Sequence, residues 1–479
     1  MFICQKEEYY SELFNIVRQF KKHETRNISC LFEDDKFIIS LNDKITAGEV
    51  SDHPHLKKNE RNDAQLNSFN FNFTKKSKKE TLFFLKTTLY KVLSKYFNET
   101  LPWGALTGIR PTKLVYDALD GGKSVDEAKE FLIKNYFVSE DKAALTCEIV
   151  QNQKPYLLSN EEKNNFVNLY IHIPFCPSRC NYCSFVTLET KKFSHLIELY
   201  FEKLITELKH DLSLIKFQNK KIYSVYIGGG TPSCLPLPMI KKLLSYLTFD
   251  CEITFEAGRS DTITKELLEV LKEGGVTRIC LNPQTLSDDT LKKIGRVHTA
   301  KDFFDAYDLI KKRNFTINCD LIYGIDETEK DFQNTLEKII ELKPHNITVH
   351  TLSSKKGSKA SQESKKSDSV WESNINVRYI TNQLEENNYH PYYLYRQKEQ
   401  LSNLDNIGYS LKKYECINNI SVMEELLSVM AIGAGAISKQ IFHKKDNTQI
   451  ERFANLRDVQ LYINRFDEIL KKKGEFFIT

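Results

Sequence analysis

The sequence predicts an α/β protein built around a partial (β/α)6 barrel, with an N-terminal α/β accessory domain and a C-terminal α/β extension. In the middle third of the chain, six short β-rich segments alternate with segments of amphipathic helical periodicity. Polar motifs stand at or near the ends of five of these segments. The chain has 479 residues, more than one hydrophobic core usually organises, so two or three domains are expected.

The domain boundaries follow from shifts in composition and periodicity. We expect an accessory domain over residues 1–160, a barrel over 161–352, a polar loop over 353–369 and a C-terminal domain over 370–479. In the accessory domain, residues 30–41 alternate as a strand does, and residues 78–97 have helical periodicity. Phe69, Phe71 and Phe73 also alternate, and core packing is their expected role.

The predicted barrel has six candidate strands. They span residues 169–173, 222–227, 252–256, 277–281, 316–322 and 346–350. The helical segments between them imply parallel strands with right-handed crossovers, and such folds place their chemistry at the carboxyl ends of the strands. Tyr170 and His172 share one face of the first strand and are candidates for contact with a ligand, although a core position is the default for His172.

The first strand is followed by a CxxxCxxC motif formed by Cys176, Cys180 and Cys183. Three thiolates on one short loop can bind three irons of a 4Fe–4S cluster and leave the fourth iron without a protein ligand. A zinc site would need four ligands, and no second Cys or His pair stands at a zinc-ribbon distance. Three structural core cysteines fit less well, because Pro177 and Asn181 indicate a loop. The spacing favours a cluster.

The other strand ends carry groups suited to a small polar ligand. Glycines 228–230 let backbone N–H groups approach a ligand closely, although they also suit a tight turn. Glu256, Gln284 and Asp320 suit hydrogen bonds to an ammonium group or to ribose hydroxyls, although a carboxylate at a strand end is often solvated or paired. Arg296 suits a carboxylate clamp or, alternatively, a surface position at a helix end.

Composition narrows the class of protein further. The eleven cysteines are an odd number, and most lie singly in apolar stretches, which is a reduced, cytosolic pattern rather than a disulfide framework. No run is long and apolar enough for a signal peptide or a membrane span, so a cytoplasmic protein is expected. The net charge of +4 is mild and argues against a nucleic-acid surface, while it permits an anionic small substrate.

On these residues the chain resembles a known superfamily. A CxxxCxxC loop after a strand is similar to the signature of radical S-adenosylmethionine (SAM) enzymes. Further segments resemble the oxygen-independent coproporphyrinogen III dehydrogenases: YIHIPFC (170–176), GGGTP (228–232), NPQT (282–285), GRVHT (295–299) and DLIYG (320–324). The HemZ-type branch is indicated by EAGR (256–259), VHTL (349–352), YRQK (395–398) and WGALTGIRP (103–111).

The resemblance implies cofactors, a site and a reaction. It implies a 4Fe–4S cluster on Cys176, Cys180 and Cys183, with SAM on the open iron. The SAM contacts that it implies are Tyr170, Tyr182, Gly229, Gly230, Thr231, Glu256, Gln284, Arg296 and Asp320. The implied reaction is oxidative decarboxylation of two propionates of coproporphyrinogen III to vinyls, giving protoporphyrinogen IX in anaerobic haem biosynthesis. A reduced flavodoxin or ferredoxin is the expected electron donor.

One departure from the dehydrogenase pattern keeps alternatives open. The dehydrogenases carry a fourth cysteine two residues after the third, whereas Ser184 and Phe185 follow Cys183 here. The shorter form also occurs in haem-chaperone relatives. A haem-binding chaperone, or a radical SAM enzyme acting on another tetrapyrrole, is therefore the alternative function.

Two later segments are candidates for binding the substrate. In the Ser/Lys-rich run over 353–369, a surface loop by composition, Lys355, Lys356 and Lys359 are candidates to screen tetrapyrrole carboxylates. Arg396 closes a tyrosine-rich stretch and is a candidate to pair with such a carboxylate, with an ordinary edge strand as the alternative.

Overall fold

The chain forms two compact units, Met1–Cys147 and Glu148–Thr479, in a computed structural model. The structure describes residues 2–20, 27–33, 36–42, 67–72, 77–108, 110–185, 187–325, 327–352, 374–397, 405–443 and 448–478. The loop predicted over 353–369, with its three candidate lysines, lies outside these residues, as does Phe73. In the described ranges, no helix combines the length and the hydrophobicity needed to cross a membrane.

The first unit contains one mixed sheet and several helices. Its elements are β1 (Phe2–Cys4), α1 (Glu7–Val17), β2 (Asn27–Glu33), β3 (Lys36–Asn42), β4 (Asn67–Asn72), α2 (Lys78–Phe97), α3 (Thr112–Asp120) and α4 (Val125–Tyr136), followed by α5 (Glu140–Gln153). The sheet order is β1-β2-β3-β4, with β1 parallel to β2 and the other pairs antiparallel. The helix predicted over 78–97 is confirmed, and within the alternating stretch residues 30–33 and 36–41 lie in two paired antiparallel strands. Phe69 and Phe71 pack against the core of this unit.

The second unit holds one large sheet. Its elements up to the sixth parallel strand are α6 (Asn160–Asn165), β5 (Phe166–Ile173), β6 (Phe175–Cys176), β7 (Leu188–Glu189), α7 (Thr190–Phe217), β8 (Lys221–Gly229), α8 (Leu237–Leu244), β9 (Glu252–Glu256), α9 (Lys265–Glu273), β10 (Arg278–Cys280), α10 (Asp288–Lys293), α11 (Ala300–Lys311), β11 (Thr316–Tyr323), α12 (Glu329–Leu342) and β12 (Asn346–Thr351). The remaining elements are α13 (Asn374–Glu386), β13 (His390–Tyr395), β14 (Asn406–Ser410), α14 (Ile417–Met423), β15 (Val429–Ile432), β16 (Ile437–His443), β17 (Thr448–Ala454), α15 (Val459–Asn464) and α16 (Phe466–Ile478).

The six predicted strands are confirmed as neighbours in one parallel sheet. The strand order is β13-β14-β12-β11-β10-β9-β8-β5-β15-β16-β17, and β5, β8, β9, β10, β11 and β12 are parallel throughout. Later strands extend both edges, because β15 pairs parallel with β5 and β14 pairs antiparallel with β12. The described part of the region predicted as a C-terminal domain over 370–479 thus contributes strands to the same sheet, and the contact boundary falls at 147/148 rather than at 160.

The two faces of this sheet differ in chemistry. One face consists of buried apolar side chains, among them Leu169, Ile171, Val225, Ile227, Ile253, Phe255, Ile279, Ile317, Leu321 and Ile347. Cross-strand register places polar and aromatic residues on the other face: Tyr170, His172, Tyr226, Glu256, Asn318, Asp320, Thr348 and His350. Burial of the first face by crossover helices is the general arrangement of parallel sheets, so the polar face is the one available for a ligand.

Arg278 closes the amino-terminal end of the polar face. Its guanidinium donates to Glu252 Oε2 at 2.8 and 3.0 Å, to Asn318 Oδ1 at 2.7 Å and to the side-chain oxygen of Asn346. It also donates to the Tyr414 carbonyl at 2.9 Å. Since these groups bind one another, the carboxyl ends of the strands are where polar groups remain for a ligand.

Candidate functional site

The three cysteines of the motif lie on one half-buried loop after β5. Cys176 ends β6, which pairs with β7, and the N–H of Cys183 donates to the Cys180 carbonyl at 3.1 Å. All three are free thiols of intermediate exposure. Burial raises the pKa of Cys176 to about 11 and also raises that of Cys183. Metal binding at this loop would therefore have to displace thiol protons.

The end of α10 holds the tip of the cysteine loop. The N–H of Asn181 donates to the Ile294 carbonyl at 3.0 Å, and its side-chain amide donates to the Lys293 carbonyl at 2.7 Å. Ser178 Oγ donates to the Gly295 carbonyl at 2.9 Å. Gly295 has a φ of +82°, and an added Cβ would lie 3.1 Å from the Arg179 carbonyl, so the loop and α10 approach through a glycine.

The glycines at the end of β8 pack closely against the cysteine loop. The N–H of Gly230 donates to the Ile173 carbonyl at 2.8 Å, and a Cβ on Gly230 would lie 2.4 Å from the Phe175 carbonyl and 3.0 Å from Cys176 Sγ. Gly229 has a φ of +105°. Thr231 Oγ1 donates to Cys176 Sγ at 3.4 Å. The glycines thus allow the turn after β8 to pack closely against the cysteine loop, and this packing fixes the position of Cys176.

The polar face presents two hydrogen-bonded pairs of side chains. Tyr226 donates to Glu256 Oε1 at 2.6 Å, and Tyr170 OH lies 3.0 Å from His172 Nδ1. Burial raises the pKa of Glu256 to about 7, and the negative charge of Asp320 acts in the same direction. Burial lowers the pKa of His172 to about 4, so this imidazole is neutral at physiological pH.

Further along the strand ends, Gln284 and Asp320 lie together. The N–H of Gln284 donates to the Asp320 carbonyl at 3.0 Å, and Gln284 adopts a φ of +68°. His350 Nε2 lies 3.6 Å from Asp320 Oδ2, and its Nδ1 lies 3.1 Å from the hydroxyl of Tyr395. Asp320 is thus joined to the sixth parallel strand and to β13.

Arg296 is buried between two loops. It donates to the Asn282 carbonyl at 2.6 Å, to the Gly258 carbonyl at 3.3 Å and to the hydroxyl of Tyr182 at 3.1 Å. The alternative of a surface arginine at a helix end is excluded by its exposure of only 7%. Arg296 therefore connects Tyr182, on the cysteine loop, to the segments that follow β9 and β10.

Arg396 lies at the end of β13, directly after Tyr395. Its Nε is 3.7 Å from Asp405 Oδ1, and burial lowers the pKa of the guanidinium to about 10. Its predicted role toward a tetrapyrrole carboxylate stays a prediction.

Several residues of the site were not predicted as such. Tyr226, His350 and Tyr395 each bond to a predicted residue or to its partner, and Arg259 donates to Ser178 Oγ at 2.9 Å. The two-residue period of β8 and β12 was the available signal for Tyr226 and His350, since they fall on the face of Tyr170 and Asp320. For Tyr395 and Arg259, the only signal in the sequence was their position in the YRQK and EAGR motifs of the family resemblance.

Comparison with known proteins identifies the class. Residues 170–339 match the model of the Radical SAM superfamily. The solved structure of coproporphyrinogen III oxidase (HemN) from Escherichia coli has the same fold, with a TM-score of 0.50 and 20% identity over 67% of this chain and 72% of that one. Fold, cysteine loop and family model together define a radical SAM protein.

Sequence identity over most of the chain identifies the branch of the superfamily to which the chain belongs. The oxygen-independent coproporphyrinogen-III oxidase-like protein HemZ of Bacillus subtilis is 36% identical over 388 residues, which cover 79% of this chain and 77% of that protein. The chain belongs to this HemZ family. The haem chaperone HemW of Lactococcus lactis is also 36% identical, over 191 residues that cover 38% of this chain and about half (48%) of that protein.

The residues present fit the cofactors of the superfamily, a 4Fe–4S cluster and SAM. The described residues contain no group of three His, Cys, Asp or Glu side chains that could hold a single metal ion. A cluster does not require such convergence, because each thiolate binds a different iron. Gln284 Oε1 and Arg296 Nε are buried and have no hydrogen-bond partner within the described part of the chain, so an acceptor and a donor remain for a polar ligand.

Proposed function

We propose that this protein is a radical SAM enzyme that oxidatively decarboxylates propionates of coproporphyrinogen III to vinyl groups. The observation that carries the proposal is that Tyr170, Glu256 and Asp320 lie on one face of the parallel sheet whose strand β5 leads into the cysteine loop, in a chain that belongs to the HemZ family. The carboxyl ends of these parallel strands are the expected place for chemistry. The product would be protoporphyrinogen IX, with loss of two molecules of CO2.

The proposed roles of the residues follow their positions. Cys176, Cys180 and Cys183 would hold a cluster with one open iron. When bound, the cluster and SAM would supply a 5'-deoxyadenosyl radical that takes a hydrogen atom from a propionate, and loss of CO2 and of one electron to an acceptor would then leave the vinyl group. Glu256 would accept a hydrogen bond from the ammonium group of SAM, and Arg296 would bind its carboxylate.

The remaining proposed contacts surround the same ligand. Gln284 and Asp320 would bind ribose hydroxyls, while the aromatic ring of Tyr170 and the turn at 229–231 would shape the cavity wall. Tyr182 would act through its hydrogen bond with Arg296, 3.1 Å long. A reduced flavodoxin or ferredoxin is proposed as electron donor. The eleven cysteines, all free, support a cytoplasmic location.

The test is an anaerobic assay of the reconstituted protein. The full chain is supplied with iron, sulfide, SAM, dithionite and coproporphyrinogen III, and protoporphyrinogen IX, 5'-deoxyadenosine and CO2 are measured. We expect product in proportion to SAM cleavage, and none in Cys180→Ala. Cluster formation and SAM binding without decarboxylation would overturn the proposed reaction.

A haem-binding chaperone is the second candidate, and the residues after Cys183 favour it. Ser184 and Phe185 stand where the dehydrogenases carry a further cysteine, and a protein called haem chaperone HemW aligns with 38% of the chain. A chaperone should bind haem tightly and consume SAM slowly. Titration of haem into the cluster-loaded protein, read from the haem absorption band, distinguishes it from the enzyme.

A further inference from the structure

A buried arginine supports the cysteine loop, and it is not among the residues proposed to bind the cluster or SAM. Arg259 follows β9 and is only 3% exposed. Its Nη1 donates to Ser178 Oγ at 2.9 Å, and Ser178 passes a hydrogen bond of 2.9 Å to the Gly295 carbonyl. Ser178 lies between Cys176 and Cys180, so this chain of bonds attaches the middle of the motif to the segment after α10.

The guanidinium is held in a fixed orientation by a carboxylate. Arg259 Nε donates to Asp261 Oδ1 at 2.9 Å and Nη2 donates to Asp261 Oδ2 at 3.1 Å, which is a bidentate pair. His298, whose side chain is fully buried, places Nδ1 3.5 Å from the same Oδ1. Although burial would raise the pKa of Asp261, its bonds to His298 and Arg259 hold that pKa well below the ordinary value. Asp261 is therefore ionised and leaves one guanidinium nitrogen for Ser178.

The arginine also places positive charge close to the cysteines. Its Nη1 lies 2.9 Å from Ser178 Oγ, and Ser178 is two residues from both Cys176 and Cys180 in the sequence. Thiolate ligands carry negative charge, and a nearby fixed cation stabilises them in a partly desolvated site. A lysine would provide the charge but not the three directed N–H groups that Asp261 and Ser178 accept here.

We infer that Arg259 is a positioning residue of the cluster site, which holds the cysteine loop through Ser178 in its metal-binding conformation and places its positively charged guanidinium against that loop. The inference rests on the proposed cluster but not on the proposed substrate. Outer partners of metal ligands commonly contribute ten- to hundredfold in metal affinity. The expected effect is therefore on cluster retention and reduction potential rather than on tetrapyrrole binding.

The test compares variants of the full chain after anaerobic reconstitution. We expect Arg259→Gln to release iron to a chelator about tenfold faster than the wild type. Its cluster should also have a lower midpoint potential, because removal of a nearby positive charge disfavours addition of an electron. Ser178→Ala should release iron faster with a smaller change in potential, since the charge stays. Ser438→Ala, which removes a buried hydroxyl bonded to Ala431, is the matched control and should behave as the wild type.

A second variant keeps the inference testable if Arg259→Gln does not fold, because that change leaves the Asp261 carboxylate without its cation. Arg259→Gln combined with Asp261→Asn removes both charges, and circular dichroism of the cluster-free protein reports its folding. Wild-type iron release in this folded double variant would overturn the inference. If the wild type itself binds no cluster, the proposed cofactor fails instead, so the two failures are distinguishable.

Discussion

At the scale of single residues, Glu256 shows how burial shifts the pKa of a carboxyl that is proposed to bind a ligand. Its carboxyl accepts a hydrogen bond from Tyr226 at 2.6 Å, yet burial and the charge of Asp320 raise its pKa to about 7. Because this carboxyl is partly protonated near neutral pH, a cationic partner bound beside it would lower its pKa. An ammonium group at this position would restore the ionised form.

This shift predicts a pH dependence of stability in the cluster-free protein. Between pH 4.5 and about 7, the unfolded chain loses the Glu256 proton while the folded protein keeps it, so the free energy of unfolding falls as pH rises. We expect the contribution to reach about 3 kcal/mol by pH 8 and to be absent in Glu256→Gln. Chemical denaturation at pH 5, 6, 7 and 8 measures it.

Glu198→Gln is the control for this experiment, because Glu198 is an exposed residue of α7. Its pH profile should follow that of the wild type. A profile of Glu256→Gln parallel to the wild type would contradict the buried, proton-retaining carboxyl.

At the scale of elements, the turn after β8 and the cysteine loop form one packed unit. Two backbone hydrogen bonds, from Gly230 to Ile173 and from Thr231 to Phe175, join the turn to the segment that leads into Cys176. The distance of a Gly230 Cβ from the Phe175 carbonyl would be 2.4 Å, which no side chain can occupy. The position of Cys176 therefore depends on the second parallel strand as well as on its own.

Gly230→Ala should accordingly displace the cysteine loop. We expect a loss of bound iron and sulfide after reconstitution, with far-UV circular dichroism close to that of the wild type. Gly258→Ala is the matched control, because its Cβ would come no closer than 3.7 Å to its nearest neighbour, Asn282 Nδ2. Equal cluster content in Gly230→Ala and in the control would refute the prediction.

The elements also show what sequence can and cannot predict. Period and spacing identified the six parallel strands and the cysteine loop, because these signals are local. The bond from Tyr226 to Glu256 and that from His350 to Tyr395 depend on which strands are neighbours and in which register, so a single sequence does not contain them in readable form. For the same reason the sequence did not indicate that β14 and β15 join opposite edges of one sheet.

At the scale of the second unit, a buried ionic cluster ties α16 to α7. Lys473 is fully buried and donates to Glu207 Oε1 at 2.7 Å, to Asp211 and to the Ala431 carbonyl at 2.7 Å. Glu207 in turn accepts a hydrogen bond of 2.9 Å from the N–H of Gly433, at the end of β15. The last helix is thus connected to the strand that borders β5.

Lys473→Met should destabilise the protein strongly, since it leaves two buried carboxylates without their cation. We expect a loss of about 3–5 kcal/mol in the free energy of unfolding. Lys472→Met is the adjacent control, because Lys472 forms an exposed pair with Glu468, and its denaturation midpoint should stay at the wild-type value. Urea denaturation followed by tryptophan fluorescence and circular dichroism compares them, and equal midpoints for both variants would contradict the account.

The pairing of β15 with β5 has a consequence for the order of events during protein synthesis. Ala431 lies beside Tyr170 in the parallel register, so β5 acquires its second neighbour only after more than half of the chain has followed it out of the ribosome. Until then, one edge of the strand that leads to the cysteines has unpaired backbone groups, which readily attract other strands. We therefore expect iron delivered to a nascent chain to meet an unfinished site, so that insertion of the proposed cluster follows translation.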